Sequence, residues 1–260
     1  MPPHTRLSAQ ELSVNFADTQ VLDQLSVSVP DGAVTAIVGP NACGKSTLLR
    51  SLARLQQASA GQVILDGKAI AAQNSKSVAR RLAILPQSPL APEGLSVRDL
   101  VLRGRTPHQS AWRQYSAKDA TAVATAIAAT GLEGLEDRSL HTLSGGQRQR
   151  AWIAMALAQE TQLVLLDEPT TYLDLPHQIE LLDLVRRLNR DTGRTVAMVL
   201  HDINLAARYC DHVIALRGGT VHSEGPPSSV ITETMMGEVF NLPCTIIADP
   251  NHGTPHVIPS

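Results

Sequence analysis

What this sequence lacks narrows the kinds of protein it can be. It has no apolar run of the roughly 20 residues needed to cross a bilayer, and its opening residues, MPPHTRLSAQ, contain no apolar stretch typical of a signal peptide. The net charge is −2 and no block of like charges is long, so we expect no nucleic-acid partner. Internal repeats are also missing. What remains is a globular chain of 260 residues, long enough to bury a substantial core.

Cysteine is scarce as well. Cys43, Cys210 and Cys244 are far apart in the sequence, and they lack the spacing of a metal-binding motif. The expectation is therefore that all three are reduced thiols of a cytosolic protein.

Hydrophobic patterns predict an α/β fold. Alternating residues in LSVNF and LSVSV, within the first thirty residues, predict antiparallel strands. Continuous apolar runs at 33–39, 163–168 and 195–202 predict buried parallel strands. Helical patterns such as STLLRSLARL and NLAARYC follow these runs, which favours a parallel sheet covered by helices.

The segment from about residue 96 to residue 140 has a different pattern. VRDLVLRGR and AKDATAVATAIAAT have helical periodicity, and no strand pattern separates them. Two prolines in the preceding QSPLAPEG indicate a boundary. We predict one domain over 1–260, in which a helical subdomain at 91–158 interrupts a core formed by 1–90 and 159–260. The tail, CTIIADP and PHVIP, is predicted to form a small hairpin.

GPNACGKST matches the pattern G-x-x-x-x-G-K-[ST] and lies between a predicted buried strand and a predicted helix. In such a loop, backbone N–H groups and a helix N-terminus bind phosphate groups. We expect Lys45 to reach the terminal phosphates and the Ser46 hydroxyl to bind Mg²⁺. The predicted nucleotide-binding residues of this loop are Gly39, Pro40, Asn41, Ala42, Cys43, Gly44, Lys45, Ser46 and Thr47.

Polar residues follow three other predicted strands. Asp167, after LVLL, suits the Mg²⁺ shell, and Glu168 is placed to deprotonate or orient an attacking water. His201 and Gln87 also follow strand patterns. Because ligands bind at the carboxyl edge of parallel sheets, we expect these four residues to lie near the phosphates.

LSGGQRQRAWIAMALA, which begins at Leu143, is an unusual start for a helix. Ser144 is a good N-cap, since its hydroxyl accepts from unpaired backbone N–H groups. Capping does not explain Gly145 and Gly146, because glycine lowers helix stability.

Taken in order, the segments 39–47, 87, 143–147, 163–168 and 201 resemble the ATP-binding subunit of ABC transporters, over nearly the whole chain. The resemblance implies a P-loop NTPase fold with a RecA-like parallel sheet core, an N-terminal antiparallel β subdomain and an inserted helical subdomain. It also implies that the chain is an ATPase with ATP and Mg²⁺ as cofactors.

In that family, LSGGQ is the signature motif and serves a nucleotide held by the opposite subunit. The resemblance therefore implies that Ser144, Gly145, Gly146 and Gln147 act across a head-to-tail pair of two copies, with two ATP molecules between them. Asp174, in TTYLD, matches the aspartate that links the copies.

Further roles are implied by position. Phe16 matches the aromatic residue that stacks on adenine, although a buried strand residue is the competing interpretation. Gln87 matches a residue that touches Mg²⁺ and senses the membrane partner, and His201 matches a histidine that contacts the γ-phosphate. The chain departs from the family at Ala42, where glycine is commoner, and at Tyr172, in TTYLD instead of TSALD. Ala42 would be strained if that position needs a positive φ.

Features outside the shared motifs, including VLRGRTPHQS and the tail NLPCTIIADPNHGTPHVIP, resemble the ATPases of bacterial ferric-siderophore importers. That resemblance implies transmembrane permease subunits, an extracytoplasmic siderophore-binding protein, and a peripheral location at the cytoplasmic face of the inner membrane. Vitamin B12 or haem importers are the nearest alternatives. A soluble ABC ATPase acting on DNA or ribosomes, and a small P-loop kinase, are alternatives of other classes.

Overall fold

The computed structural model describes residues 5–89, 92–109 and 115–260. Leu90 and Ala91 of the predicted boundary segment, and 110–114 of the predicted helical subdomain, lie outside them. The strands in the described residues are β1 (Leu7–Phe16), β2 (Thr19–Val29), β3 (Val34–Val38), β4 (Ala60–Leu65), β5 (Lys68–Ala69), β6 (Leu82–Leu85), β7 (Leu163–Leu166), β8 (Thr195–Val199), β9 (His212–Arg217), β10 (Thr220–Gly225), β11 (Cys244–Ala248) and β12 (Pro255–Pro259).

Helices alternate with the strands over most of the chain. They are α1 (Lys45–Leu52), α2 (Ser75–Ala79), α3 (Val97–Arg103), α4 (Ala117–Ala129), α5 (Gly145–Ala158), α6 (Leu175–Thr192), α7 (Ile203–Tyr209), α8 (Pro227–Val230) and α9 (Glu233–Phe240). In the part of the chain that the structure describes, no helix has both the length and the apolar character of a membrane span.

The chain divides into two compact units. The first comprises Met1–Gln73 and Leu188–Ser260. It contains a sheet with the order β2-β1-β4-β5, in which all neighbours are antiparallel. The predicted alternation is present in β2, where Leu25, Val27 and Val29 are buried and the intervening serines are exposed. One face of this sheet therefore contributes to the core.

The first unit also contains the strand order β10-β9-β3-β8. β3 is parallel to both β8 and β9, and every residue of β3 and of β8 is buried. The continuous apolar runs predicted these buried parallel strands correctly. The predicted tail hairpin is also present, since β11 and β12 pair antiparallel.

The second unit comprises Asn74–Arg187. β6 and β7 pair in parallel, from Leu82 opposite Leu163 to Leu85 opposite Leu166. The helices α3, α4 and α5 pack against one another, and their periodic apolar residues are buried, as predicted. The predicted limits of the helical subdomain, 91–158, stay a prediction.

A buried arginine holds this helical part together. The Arg105 side chain is 1% exposed and donates to Asp119 Oδ1 at 2.8 Å, to Glu160 Oε2 at 2.7 Å and to the Ala158 carbonyl at 2.6 Å. The hydrogen bond from Arg105 is the main cause of a lowered pKa at Asp119, and a hydrogen bond from Ser116 adds to it. Three segments of the helical part therefore meet at one guanidinium.

Candidate nucleotide site

The loop at 39–47 follows β3 and includes the first three residues of α1, as the motif requires. Lys45 is buried, and its Nζ donates to the carbonyl oxygens of Gly39 and Pro40 at 2.8 Å each. The N-cap of α1 is Gly44, which has no side chain that could cap the helix. The first N–H groups of α1 therefore have no side-chain acceptor at the cap, which is the arrangement in which a helix N-terminus binds phosphate.

Backbone conformation explains one residue of this loop and strains another. Gly44 has φ +102°, and a β-carbon there would lie 2.6 Å from Leu22 Cδ2, so the position requires glycine. Ala42 has φ +61°, in the left-handed region. The strain predicted for Ala42 is therefore present, and is worth about 1 kcal/mol. Burial raises the pKa of Cys43, which keeps it a thiol at neutral pH.

His201 follows β8 at the edge of the first unit where β3 ends. The two strands are parallel neighbours, and the Leu200 N–H donates to the Ile37 carbonyl at 3.2 Å. His201 is exposed, and Asp202 caps α7 by accepting from the Leu205 N–H at 2.9 Å. The first unit therefore brings His201 and the loop at 39–47 to the same sheet edge.

In the second unit, Asp167 and Glu168 follow β7. Asp167 is 1% exposed, and its N–H donates to the Leu85 carbonyl at 2.9 Å, which fixes the strand end. Glu168 has φ +51°, and its Oε2 accepts from Gln87 Nε2 at 2.6 Å and from Thr171 Oγ1 at 3.0 Å. The structure thus brings Gln87 and Glu168 together. The contact of Thr171 with Glu168 was not predicted, although the spacing of three residues was a signal.

Ser144 is the N-cap of α5, as predicted. Its Oγ accepts from the Gln147 N–H at 3.2 Å, and the Gln147 side chain accepts from the Ser144 N–H at 3.1 Å, which completes a capping box. Both residues are accessible enough for the cap to face a ligand: Ser144 is exposed and Gln147 is partly exposed.

The two glycines of this segment have different surroundings. A β-carbon at Gly145 would meet no heavy atom of the described residues within 4 Å. A β-carbon at Gly146 would lie 2.5 Å from Cδ2 of His177, so the ring can approach this closely because the residue is glycine. His177 was not singled out in the sequence, because its contact with Gly146 joins residues far apart in the chain.

Asp174 immediately precedes α6, and His177 Nδ1 is hydrogen-bonded to Asp174 Oδ1. This hydrogen bond is the main cause of a lowered pKa at Asp174. Tyr172 is 89% exposed and has φ +65°, an uncommon conformation for a bulky residue. Leu175, on the other side of Asp174, is 63% exposed. Asp174 thus lies between two exposed hydrophobic side chains.

Phe16 is the last residue of β1, and its side chain is 49% exposed. The competing interpretation of Phe16 as a buried strand residue is therefore wrong. An exposed ring at a strand end is compatible with stacking on a ligand, and the role toward adenine stays a prediction.

One cavity of the first unit lies away from the predicted nucleotide-binding residues. It has a volume of about 480 Å³ and lies beside the end of α1 and β4, where Arg54, Leu55 and Val63 line it. None of the predicted nucleotide-binding residues lines this cavity.

The predicted metal ligands have a chemistry that suits Mg²⁺. Ser46, Gln87 and Asp167 offer a hydroxyl, an amide carbonyl and a carboxylate, and hard oxygen atoms are the ligands that Mg²⁺ prefers.

Comparisons with known proteins agree with this geometry. Residues 22–171 match the family described as ABC transporter. The chain is 50% identical to the petrobactin import ATP-binding protein FpuD of Bacillus anthracis, over 97% of this chain and 93% of that protein. It is also 50% identical to the ferric enterobactin transport ATP-binding protein FepC of Escherichia coli, over 98% and 94%.

Solved structures give the same result for the fold. One is an ABC transporter in an inward-facing conformation, described as of the metal-chelate type. It has a TM-score of 0.85 and 28% identity, over 99% of this chain and 98% of that one.

The chain belongs to the ABC transporter family. Both the resemblance and the α/β P-loop NTPase fold predicted from the sequence are thereby confirmed. The roles of individual residues toward the nucleotide stay predictions.

Proposed function

We propose that this chain is the ATP-hydrolysing subunit of an importer of ferric siderophores. One observation carries the proposal: relatives named for petrobactin import and ferric enterobactin transport match the chain at 50% identity over nearly its full length. Identity of this degree over the whole chain includes the surfaces outside the shared motifs, where the branches of a transporter family differ.

The phosphate groups of ATP are bound by the loop at 39–47 in this proposal. Lys45 exchanges its hydrogen bonds to the neutral loop carbonyls for hydrogen bonds to the anionic phosphates, and the N–H groups of α1 add to them. Phe16 stacks on adenine. Ser46, Gln87 and Asp167 would hold Mg²⁺, which when bound neutralises charge on the phosphate oxygens.

Glu168 orients and deprotonates the attacking water. Its hydrogen bonds from Gln87 and Thr171 fix the carboxylate, so the proton acceptor has a defined direction. His201 donates to the γ-phosphate from the first unit. Gln87 also connects Glu168 to the region that a membrane partner contacts, which would let the partner influence hydrolysis.

The working form is a head-to-tail pair of two copies. Ser144, Gly145 and Gln147 belong to an exposed helix start, and exposed N–H groups at such a start suit the γ-phosphate held by the other copy. The ring of His177 packs against Gly146 and supports the first turn of α5. Asp174, between exposed Tyr172 and Leu175, contacts the second copy at the same interface.

The remaining partners are transmembrane permease subunits and an extracytoplasmic siderophore-binding protein. The permease would hold this chain at the cytoplasmic face of the inner membrane. Closure of the pair on ATP moves the permease, and hydrolysis resets it.

The test has two parts. Tagged chain is purified from detergent-solubilised membranes of its own cells, and the assembled complex is tested for ATP-driven uptake of ⁵⁵Fe carried by enterobactin or petrobactin. Permease subunits and uptake of iron are expected. Uptake of vitamin B12 or haem instead would show that the assignment of ferric siderophores as the substrate is wrong. Copurification with ribosomes or DNA would contradict the role in transport.

The nucleotide site is tested in the isolated chain. Lys45→Ala should abolish ATP binding in a titration, because the phosphates lose the buried cation of the loop. The control is Lys68→Ala, which removes an exposed lysine of β5 and should leave ATP affinity unchanged. Equal affinity of the two variants would contradict the phosphate-binding role of this loop.

A further inference from the structure

His177 lies in the first turn of α6 and contacts two residues that belong to the proposed interface between copies. Its Nδ1 is hydrogen-bonded to Asp174 Oδ1. The carbon atoms of its ring occupy the space beside Gly146, where a β-carbon would lie 2.5 Å from Cδ2 and 3.1 Å from Cγ. All three residues belong to the second compact unit. One side chain therefore joins the carboxylate of Asp174 to the start of α5.

This contact explains one of the two glycines that open the signature helix. Glycine weakens a helix, so its presence in the first turn calls for a reason. At Gly145 the space is open, and glycine leaves the backbone accessible. At Gly146 the space is filled by the imidazole ring, and glycine is needed for the ring to approach.

A second contact lies about one helical turn further along both helices. Arg150 Nη1 is 3.6 Å from Glu180 Oε2, and these residues follow Gly146 by four positions and His177 by three. Residues three or four apart lie on the same face of a helix. One face of α5 therefore meets one face of α6 at two successive points.

We infer that His177 is a positioning residue for ATP hydrolysis, which holds the Asp174 carboxylate and the first turn of α5 in one fixed arrangement. The inference rests on the proposed function, in which Ser144 and Asp174 act at the interface with a second copy. Because one ring anchors both groups, closure of the pair brings them into place together, and less freedom has to be lost in the closed state. His177 itself touches neither the nucleotide nor the reacting atoms.

Two variants separate the hydrogen bond of His177 from its bulk. His177→Leu keeps an apolar side chain beside Gly146 and removes the donor to Asp174. His177→Asn keeps an N–H donor near the position of Nδ1 and removes the ring. Circular dichroism and urea unfolding of each variant come first, so that activity is compared among folded proteins.

The kinetic test measures kcat and KM for ATP separately in the assembled transporter. We expect His177→Leu to lower kcat by about 10- to 100-fold, which is the effect of misplacing a group by about 1 Å, with KM changed less than about twofold. His177→Asn, which keeps the hydrogen bond to Asp174 but loses the ring, should lower kcat less than His177→Leu does. A purely structural role would lower the amount of active protein and leave the kcat of the folded fraction unchanged.

A second readout needs neither ATP nor the transporter. The hydrogen bond from His177 lowers the pKa of Asp174, so NMR titration of that carboxyl group in the isolated chain reports on the contact directly. The pKa should rise toward its ordinary value in His177→Leu and remain low in His177→Asn.

A double-mutant cycle tests the contact with Gly146. Gly146→Ala should lower kcat in the wild-type background, because the new methyl group displaces the ring. In the His177→Asn background, Gly146→Ala should lower kcat by a much smaller factor, because the ring is absent. The control is Gly145→Ala in both backgrounds, where the space is open and the two effects should be equal.

Two results would overturn the positioning role of His177 and leave the proposed function standing. One is a wild-type kcat in folded His177→Leu. The other is an equal decrease in kcat on Gly146→Ala in the wild-type and His177→Asn backgrounds. The proposed function fails in a different way, namely if the wild-type complex hydrolyses no ATP. The Asp174 titration distinguishes the two, because it reports the loss of the contact whether or not ATP is hydrolysed.

Discussion

Gln87 Nε2 donates a 2.6 Å hydrogen bond to Glu168 Oε2, although 81 positions separate the two residues in the sequence. The same oxygen accepts from Thr171 Oγ1 at 3.0 Å. Glu168 has φ +51°, so the backbone also adopts an uncommon conformation at this point. A carboxylate that is held by two donors on a strained backbone has a fixed direction, which suits a group that must orient a water molecule.

The first prediction concerns that carboxylate. Glu168→Gln keeps the size of the side chain but cannot accept a proton, so ATP hydrolysis by the assembled transporter should fall by roughly 10²–10⁴-fold. ATP affinity in a titration should be retained. The control is Glu133→Gln, the same chemical change at an exposed position, which should leave hydrolysis unchanged. Near-normal hydrolysis by Glu168→Gln would contradict the role of Glu168 as the base.

The second prediction asks whether Ser144 serves its own nucleotide or that of the other copy. Ser144→Arg puts a bulky side chain at the start of α5, and Lys45→Ala removes the phosphate-binding cation. If Ser144 acts across the interface, a mixed pair of these two variants has one site with both changes and one site with neither. ATPase activity is then expected in the mixed pair and in neither parent pair.

A pair of wild-type and Lys45→Ala subunits shows whether one intact site suffices for hydrolysis. If that pair is active and the mixed pair of Ser144→Arg and Lys45→Ala is not, the head-to-tail arrangement is wrong. As a cap alone, Ser144 is worth about 1 kcal/mol of stability, which would leave turnover per folded molecule nearly normal.

The third prediction concerns the buried ion network of the helical part. Arg105→Met leaves the Asp119 carboxylate, which is 8% exposed, without its charged partner, so the free energy of unfolding in urea should fall by about 3–5 kcal/mol. The control is Arg98→Met, whose partner Asp137 is 88% exposed. That change should cost less than about 1 kcal/mol.

The same network predicts a dependence on pH. The pKa of Asp119 is lower in the folded chain than in the unfolded one, so the carboxylate contributes stability above its unfolded pKa, near pH 4, and loses it as the pH falls through the folded pKa. The gap in unfolding free energy between wild type and Arg105→Met should therefore narrow from pH 7 to pH 3. An unchanged gap would show that Asp119 is not the group that Arg105 compensates.

The fourth prediction compares an alanine in the left-handed region of backbone conformation with an alanine in a right-handed α-helix. Ala42 has φ +61°, so Ala42→Gly relieves strain and should raise the unfolding free energy by up to about 1 kcal/mol. Ala124 is exposed in the middle of α4, and Ala124→Gly should lower it by about 1 kcal/mol. Equal losses in both variants would mean that the loop carries no strain at Ala42.

Sequence alone was sufficient for the features that depend on neighbouring residues. The strand, loop and helix around Lys45 follow from one continuous segment, and the capping of α5 by Ser144 follows from the spacing to Gln147. Buried strands are recognisable because every residue of β3 and β8 is apolar except Thr35 and Thr195. Such features are local, and local geometry depends on a few consecutive residues.

Tertiary structure decided which distant residues share a contact. Gly146 and His177 belong to different helices, and nothing in either segment by itself indicates that an imidazole fills the place of the missing β-carbon. The burial of Arg105 among Asp119, Glu160 and the Ala158 carbonyl likewise depends on how the helices pack. Periodicity predicts which face of a helix is buried, but the side chains that meet there are determined by the angle and register of packing.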